Sequence, residues 1–226
     1  MTTIASRLQV VRSRIDAAAV AAGRLPGDIR LIAVSKTFPP AAIAEACAAG
    51  QVAFGENYVQ EAVAKIAVLP DLEWHFIGPI QSNKTRPIAE QFQWVHSVDR
   101  LKIAERLSIS RPARLPPLEI CIQVNVSGEE SKSGVRPDEV LALAKAASTL
   151  TGIRLRGLMA LPELTPDIGL QRTRFRLLRE LRDEIVRHGI PLDTLSMGMS
   201  DDLEAAIGEG ATLVRVGRAI FGERQP

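Results

Sequence analysis

The sequence predicts an α/β protein built as a single (β/α)8 barrel of the TIM type with an additional N-terminal helix. Eight short apolar runs alternate along the chain with stretches whose apolar residues recur at helical spacing. Runs such as IRLIAV and LEICIQVNV are apolar on both faces, which is typical of parallel strands covered by helices. An open, doubly wound sheet is the alternative, but the glycine-rich first turn that favours it is missing, because the first run ends in SKTFPP.

No linker, low-complexity tract or internal repeat divides the chain, so residues 1–226 are predicted to form one domain, with residues 1–23 as the N-terminal helix packing on the barrel. One apolar face of this helix carries Ile4, Leu8, Val11, Ile15 and Ala19. The predicted strands cover residues 29–35, 52–55, 74–80, 94–98, 118–126, 153–161, 192–197 and 213–216. The predicted helices between them cover residues 39–49, 56–68, 100–107, 137–150, 171–188 and 201–209. Gly23, Gly50 and Gly189 stand where helices should end.

Composition and charge exclude several classes of partner. The 28 Lys and Arg residues nearly balance the 26 Asp and Glu residues, so neither a nucleic acid nor a membrane surface is expected as the main partner. No apolar stretch approaches the length that spans a bilayer. Cys47 and Cys121 lie in apolar runs without a Cys or His at ligand spacing. This predicts reduced core cysteines, no metal site and a cytoplasmic protein.

Lys36 is the most informative residue at the end of a predicted strand. Active sites of such barrels lie at the C-terminal ends of the strands, and Lys36 follows the apolar run IRLIAVS. Burial lowers the pKa of an ammonium group, and a neutral amine at a barrel mouth is a nucleophile that forms an imine with a carbonyl. The alternative is a lysine that reaches from a strand end to solvent. Lys65, Lys102 and Lys145 lie in helical stretches, where a solvated helix face explains them.

The loops after the seventh and eighth strands form the second candidate site. Such loops hold a phosphate group in many barrels, through backbone N–H groups and a helix N-terminus. The segment SMGMSDD supplies small residues that let amides approach an anion, with Ser200 as the predicted N-cap of the next helix. Gly217, with Arg215 and Arg218 on either side, forms the opposite lip. A capped helix beside a surface arginine is the alternative.

Three further polar features are expected to be structural. Asp201 and Asp202 would compete with a phosphate for the helix N-terminus, so both are predicted to point outward. His75 and His96 lie on strand patterns and are not spaced as metal ligands, which favours hydrogen-bonded structural histidines. Residues 131–134, SKSG, form either a lid or, as the preferred interpretation, a plain surface loop.

A series of short motifs extends from the first strand to the last helix. Together they resemble the pyridoxal phosphate (PLP) homeostasis proteins, a family whose fold is like the barrel domain of alanine racemase. The matching segments are 33–37 (AVSKT), 54–61 (FGENYVQE), 74–84 (WHFIGPIQSNK), 123–127 (QVNVS), 131–134 (SKSG), 157–159 (GLM), 195–202 (LSMGMSDD), 214–217 (VRVG) and 219–222 (AIFG). Because they occur in order over nearly the whole chain, the series is far more specific than any one motif.

The resemblance implies a role for each matching residue. Lys36 matches the lysine that holds PLP as an aldimine, and Asn57 matches a residue at the edge of the cofactor ring. Ser200, with the backbone at Met199, matches one side of the phosphate cradle, and Gly217 matches the other side.

The two arginines beside Gly217 have different implications. Arg215 matches an arginine that faces the pyridine nitrogen; since it cannot accept a proton, it leaves that nitrogen unprotonated and weakens the ring as an electron sink. Arg218 stands where many family members carry a small hydroxyl residue. The hydroxyl contact to phosphate is therefore missing, while the backbone N–H remains and the guanidinium is the candidate substitute.

The resemblance implies a PLP-binding protein that takes part in intracellular PLP homeostasis as a carrier, without robust catalytic turnover. Its expected acceptors are apo-enzymes that depend on PLP, and its expected form is a monomer or weak dimer. A PLP-dependent amino-acid racemase is one alternative, but it needs two acid–base groups on opposite faces of the substrate α-carbon. The only tyrosine, Tyr58, is not an evident second group. A cofactor-free aldolase is the other alternative, which a visible absorption band would exclude.

Overall fold

The computed structural model describes residues 3–129 and 133–223, and its eight strands form a closed parallel barrel. Neighbours in the barrel follow the order of the chain, and β1 pairs with β8 to complete the circle. The predicted fold class is therefore confirmed. The strands are β1 (Arg30–Val34), β2 (Ala53–Glu56), β3 (Glu73–Phe76), β4 (Trp94–Val98), β5 (Leu118–Val124), β6 (Ile153–Ala160), β7 (Thr194–Ser196) and β8 (Leu213–Val216).

Helices connect the strands on the outside of the barrel, and the six predicted connecting helices are all present with ends shifted by a few residues. The α-helices among the described residues are α1 (Ile4–Ala21), α2 (Pro40–Ala48), α3 (Val59–Val68), α4 (Thr85–Gln91), α5 (Leu101–Ser110), α6 (Val140–Ala147), α7 (Ile168–Arg187), α8 (Leu203–Gly208) and α9 (Arg218–Phe221). Helices α4 and α9 were not predicted, because seven and four residues are too few to show helical periodicity. No helix of the described segments has the length and apolar character needed to cross a membrane.

The N-terminal helix α1 covers one side of the barrel. It begins after Thr3, whose side chain accepts a hydrogen bond from the Ser6 N–H at 3.1 Å. It ends before Gly23, which has a positive φ of 68°. The apolar face identified in the sequence is buried, and α1 packs against α2, α8 and α9.

A column of polar side chains crosses the barrel interior. The His96 Nδ1 on β4 lies 2.7 Å from the Ser196 Oγ on β7, and the His96 Nε2 lies 2.9 Å from the His75 Nδ1 on β3. Because β4 and β7 are not neighbours in the barrel, the contact between His96 and Ser196 must pass through its centre. The His75 Nε2 continues the column to the Glu73 Oε1 at 2.8 Å. Both histidines are thus hydrogen-bonded structural residues, as predicted.

Burial controls the protonation of this column. Both histidines are fully buried, and the cost of desolvating a charged ring lowers the pKa of His75 below 6.5 and that of His96 well below it. Burial opposes the charge of Glu73, but His75 and the ion pair with Arg30 outweigh it and lower the pKa of this carboxyl to about 2. The interior therefore contains neutral imidazoles and an ionised carboxylate at neutral pH.

The neutral histidines make stability depend on pH. Because their pKa is lower in the folded chain than in the unfolded one, unfolding takes up protons below pH 6.5, and acidification through this range favours unfolding. One such proton changes the free energy of unfolding by about 1.4 kcal/mol per pH unit. We expect His96→Gln to lose about this much of the slope between pH 6.5 and 5, measured by urea unfolding. Equal slopes in the two proteins would contradict a neutral His96.

Candidate functional site

A cavity of about 440 Å³ opens at the C-terminal mouth of the barrel. It brings together all the residues that the sequence analysis assigned to the cofactor site: Lys36, Asn57, Met199, Ser200, Arg215, Gly217 and Arg218. Apolar side chains that were not predicted to belong to the site complete its wall: Val34, Phe38, Ile77, Met159, Leu161 and Leu164. An apolar cavity with a few convergent polar groups is the usual form of a small-molecule site.

Lys36 enters this cavity from the end of β1, where it is half-buried. The next residue, Thr37, has a positive φ of 70°, which is uncommon for a β-branched residue and stores strain in the backbone. The Thr37 N–H donates to the Glu61 Oε1 at 2.6 Å, and this bond helps to hold the strained turn. The backbone directly after Lys36 is therefore fixed by a side chain from α3.

Lys65 fixes the backbone on the other side of Lys36. Its Nζ donates to the Ser35 carbonyl at 2.8 Å, to the Glu56 Oε1 at 2.7 Å and to the Glu61 Oε1. The prediction that Lys65 lies on a solvated helix face is wrong, because only 3% of the residue is exposed. Two carboxylates and a carbonyl compensate the buried charge, and the spacing of Glu61 and Lys65 by four residues is the signal that could have indicated the pair.

Arg215 lies against the cavity with 4% of its surface exposed. Its Nη1 donates to the Ser196 Oγ at 2.6 Å and its Nη2 donates to the Ala160 carbonyl at 2.8 Å. Burial lowers the pKa of its guanidinium to about 10, so the group stays charged at neutral pH. Among the described residues, no carboxylate lies within ion-pair distance of it, although the charge of the buried Asp202 stabilises the guanidinium from further away. Both of its hydrogen-bond acceptors are neutral. A ligand atom with a free electron pair would compensate this charge.

Asn57 offers an acceptor to the same cavity. Its Oδ1 is buried and finds no hydrogen-bond donor within the described part of the chain. A buried acceptor without a donor is unfavourable, so this oxygen is available to a hydrogen-bond donor of a ligand in the cavity. The backbone here is close to Gly78, where an added Cβ would lie 2.2 Å from the Asn57 carbonyl oxygen, so only glycine fits.

The loop after β7 differs from the prediction in two ways. Ser200 is not the N-cap of α8, which begins at Leu203 without a side-chain cap. Asp202 does not point outward: it is 5% exposed, and its Oδ1 accepts from the Met199 N–H at 2.6 Å. The carboxylate turns back to close its own loop, and burial raises its pKa. The Met199 N–H is therefore engaged, although Met199 still lines the cavity.

The opposite lip contains Gly217 and Arg218. An added Cβ at Gly217 would lie 3.1 Å from the Val34 carbonyl oxygen and 3.3 Å from its Cβ, so a side chain here would press on the end of β1. The Arg218 Nη2 donates to the Asp201 Oδ2 at 2.9 Å, and both side chains are more than half exposed. This ion pair connects the loops after β7 and β8 across the mouth, and Asp201 points outward as predicted. Of the loop SKSG, Ser131 and Lys132 lie outside the described residues.

The closed barrel and the lysine-bearing cavity at its mouth define a class of protein, and the family model described as alanine racemase, N-terminal domain, matches residues 8–225. The chain is 63% identical over 226 residues to the pyridoxal phosphate homeostasis protein of Pseudomonas aeruginosa, covering 99% of this chain and 97% of that protein. It is 51% identical to the protein of the same name from Vibrio cholerae, covering 99% and 98%. The chain belongs to the family of pyridoxal phosphate homeostasis proteins.

A solved structure supports this relationship. PipY of Synechococcus elongatus PCC7942, determined with PLP bound, is 41% identical to this chain and superposes with a TM-score of 0.86. The superposition covers 97% of this chain and all of PipY. The resemblance to this family that the sequence motifs indicated is therefore confirmed.

The buried ion pairs around Lys65 provide a test of the backbone around Lys36. Lys65→Met keeps most of the side-chain volume but leaves Glu56 and Glu61 without their cation, and breaking a buried pair costs about 3–5 kcal/mol. Lys145→Met on α6 is the matched control, since Lys145 is exposed and such a change costs less than about 0.5 kcal/mol. Urea unfolding at pH 7 measures both, and equal losses would refute the role of Lys65.

Proposed function

We propose that this chain binds PLP in the cavity at the barrel mouth and takes part in PLP homeostasis as a carrier. The observation that carries the proposal is the buried cation of Arg215, which meets only neutral protein acceptors in the same cavity as Lys36. The relatives named for pyridoxal phosphate homeostasis and the PLP-bound structure of PipY support it.

The residues of the cavity fit the chemical groups of PLP. When bound, PLP supplies an aldehyde carbon that bonds reversibly to an amine, and Lys36 is the amine that we assign to it. Asn57 has a buried oxygen ready to accept from the ring hydroxyl. We assign the phosphate to Ser200 and to the backbone at Gly217 and Arg218, and we leave out the Met199 N–H because Asp202 already occupies it.

The same residues argue against robust turnover. Arg215 has no proton-accepting atom, so a ring nitrogen that faces it would stay unprotonated. An unprotonated ring is a weaker electron sink, which disfavours chemistry that needs a strong one. Racemisation also needs a second acid–base group opposite Lys36. Tyr58 is 54% exposed and outside the cavity, and His75 and His96 are enclosed in the barrel core. The proposal is therefore a carrier rather than a racemase.

The proposal extends to partners and place of action. A reversible bond to Lys36 can exchange with the lysine of another protein without net oxidation or hydrolysis, so apo-enzymes that depend on PLP are the proposed acceptors. The chain would act in the cytoplasm as a monomer or weak dimer. Both statements remain predictions from the sequence.

Lys36 provides the direct test of the cofactor site. We expect borohydride reduction of the PLP-loaded protein to attach the cofactor to Lys36, and Lys36→Ala to abolish the visible absorption band while its unfolding curve stays close to that of the wild type. Lys102→Ala, which changes an exposed lysine of α5, is the control and should keep the band. Peptide mapping that places the label on Lys84 or Lys132 would overturn the assignment.

The absence of turnover is tested separately. Enzymes typically turn over about 1–1000 times per second, and we expect the PLP-loaded protein to exchange the α-proton of L- or D-alanine far more slowly in deuterated water. Mass spectrometry measures deuterium at the α-carbon, with Lys36→Ala as the background. Incorporation at an enzyme-like rate that disappears in Lys36→Ala would favour the racemase.

A further inference from the structure

The polar column in the barrel interior ends at the proposed cofactor site. Arg215 donates to the Ser196 Oγ at 2.6 Å, and Ser196 is the same residue that contacts His96. The column therefore joins Glu73, which is the first residue of β3, to the guanidinium of Arg215 at the opposite end of the barrel. The proposed function assigns no role to its two histidines.

The direction of every hydrogen bond in the column follows from the charge of Glu73. An ionised carboxylate only accepts, so the His75 Nε2 must carry the proton of the 2.8 Å contact. A neutral imidazole has one N–H, so the His75 Nδ1 accepts from the His96 Nε2. By the same argument the His96 Nδ1 accepts from the Ser196 hydroxyl. The hydroxyl proton thus points away from Arg215.

The opposite direction would need an extra proton. If the His96 Nδ1 donated to Ser196, the His75 Nε2 would face Glu73 without a proton, and the carboxyl would have to supply one. Arg30 opposes this, since its Nη2 donates to the Glu73 Oε2 at 2.9 Å and stabilises the ionised form. A doubly protonated histidine would satisfy the contacts as well, but complete burial of both rings opposes it.

This arrangement holds Arg215 through neutral hydrogen-bond acceptors, without a carboxylate of the described segments in direct contact. A carboxylate beside the guanidinium would fix its position but would also cancel its charge. Here the Glu73 carboxylate lies at the far end of the column, the hydrogen bonds of Arg215 go to the neutral oxygens of Ser196 and Ala160, and the buried Asp202 carboxylate acts on the guanidinium only from beyond ion-pair distance.

We propose that His75 and His96 are positioning residues for Arg215, and that Glu73, at the other end of the barrel, sets the hydrogen-bond direction in which Ser196 donates to His96 and accepts from Arg215. The consequence for the cofactor rests on the proposed function, because Arg215 acts there on bound PLP. A substitution of Glu73, at the N-terminal end of the barrel, should then change ligand binding at the C-terminal mouth.

Histidine NMR on the protein without cofactor tests the direction itself. With 15N-labelled histidine, we expect the ring shifts of His75 and His96 at pH 7 to report neutral rings protonated at Nε2. Glu73→Gln should change the ring shifts of His75, because a carboxamide can donate as well as accept. Glu119→Gln is the matched control. Glu119 is the second residue of β5, so it also lies near the N-terminal end of the barrel, and it pairs with Arg154 and Arg156 without contacting the column. A wild-type ring protonated at Nδ1 would overturn the proposal.

Binding measurements test the effect on Arg215. We expect Glu73→Gln to weaken PLP about three- to tenfold, the loss of roughly one hydrogen bond, and Glu119→Gln to stay within about twofold. Unphosphorylated pyridoxal should lose the same factor if Arg215 acts on the ring rather than on the phosphate. Unfolding curves check that both variants are folded.

The outcomes separate this proposal from the proposed function. A wild-type protein that shows the expected histidine shifts but binds no PLP would refute the proposed function and, with it, the effect on ligand binding, while the hydrogen-bond direction would stand. Equal PLP affinities for Glu73→Gln, Glu119→Gln and the wild type would refute the positioning role.

Discussion

The pairing of β1 with β8 is the contact on which the site depends. It places Ile32 beside Arg215 and Ala33 beside Val216, although these residues are more than 180 positions apart in the chain. Gly217 follows directly after β8 and Lys36 lies two residues after the end of β1, so closure of the barrel brings both to one rim. The cavity is a consequence of that closure, because either half of the chain alone carries only one of its two walls.

Two buried cations near this rim are stabilised in different ways. Lys65 is surrounded by Glu56, Glu61 and the Ser35 carbonyl, which compensate its charge and fix the backbone. Arg215 donates its hydrogen bonds to neutral oxygens and has no carboxylate of the described chain at ion-pair distance, although Asp202 acts on its charge from further away. The first arrangement is that of a structural ion pair, while the second leaves a charge that a ligand can compensate. Both cations are buried, so it is their chemical surroundings that distinguish the structural Lys65 from Arg215 at the cavity.

The sequence predicted the features that depend on local patterns. Apolar runs located all eight strands, and the rule that barrel sites lie at strand ends located Lys36 and the loops after β7 and β8. The errors concern residues whose partners lie elsewhere in the chain or whose loop geometry no pattern reveals. Lys65 was predicted to lie on a solvated helix face, because its acceptor Ser35 is 30 residues away along the chain. Asp202 was expected to point outward because its bond to the Met199 N–H depends on the shape of the turn. His75 and His96 were recognised as structural, but their alignment with Ser196 required the closed barrel.

In the ion pair between Arg218 and Asp201, the carboxylate at the mouth of the cavity competes with any anionic ligand for the guanidinium. Both side chains are more than half exposed, and such pairs contribute about 0–1 kcal/mol, so the carboxylate occupies the guanidinium without holding it strongly. If the phosphate group of the proposed ligand reaches Arg218, it can displace Asp201 at small cost. Salt screens exposed charges that are more than about 8–10 Å apart, so higher ionic strength would weaken the attraction of the mouth for an approaching anion. A weak, exposed ion pair at the mouth is therefore compatible with the proposed task of binding a ligand and releasing it again.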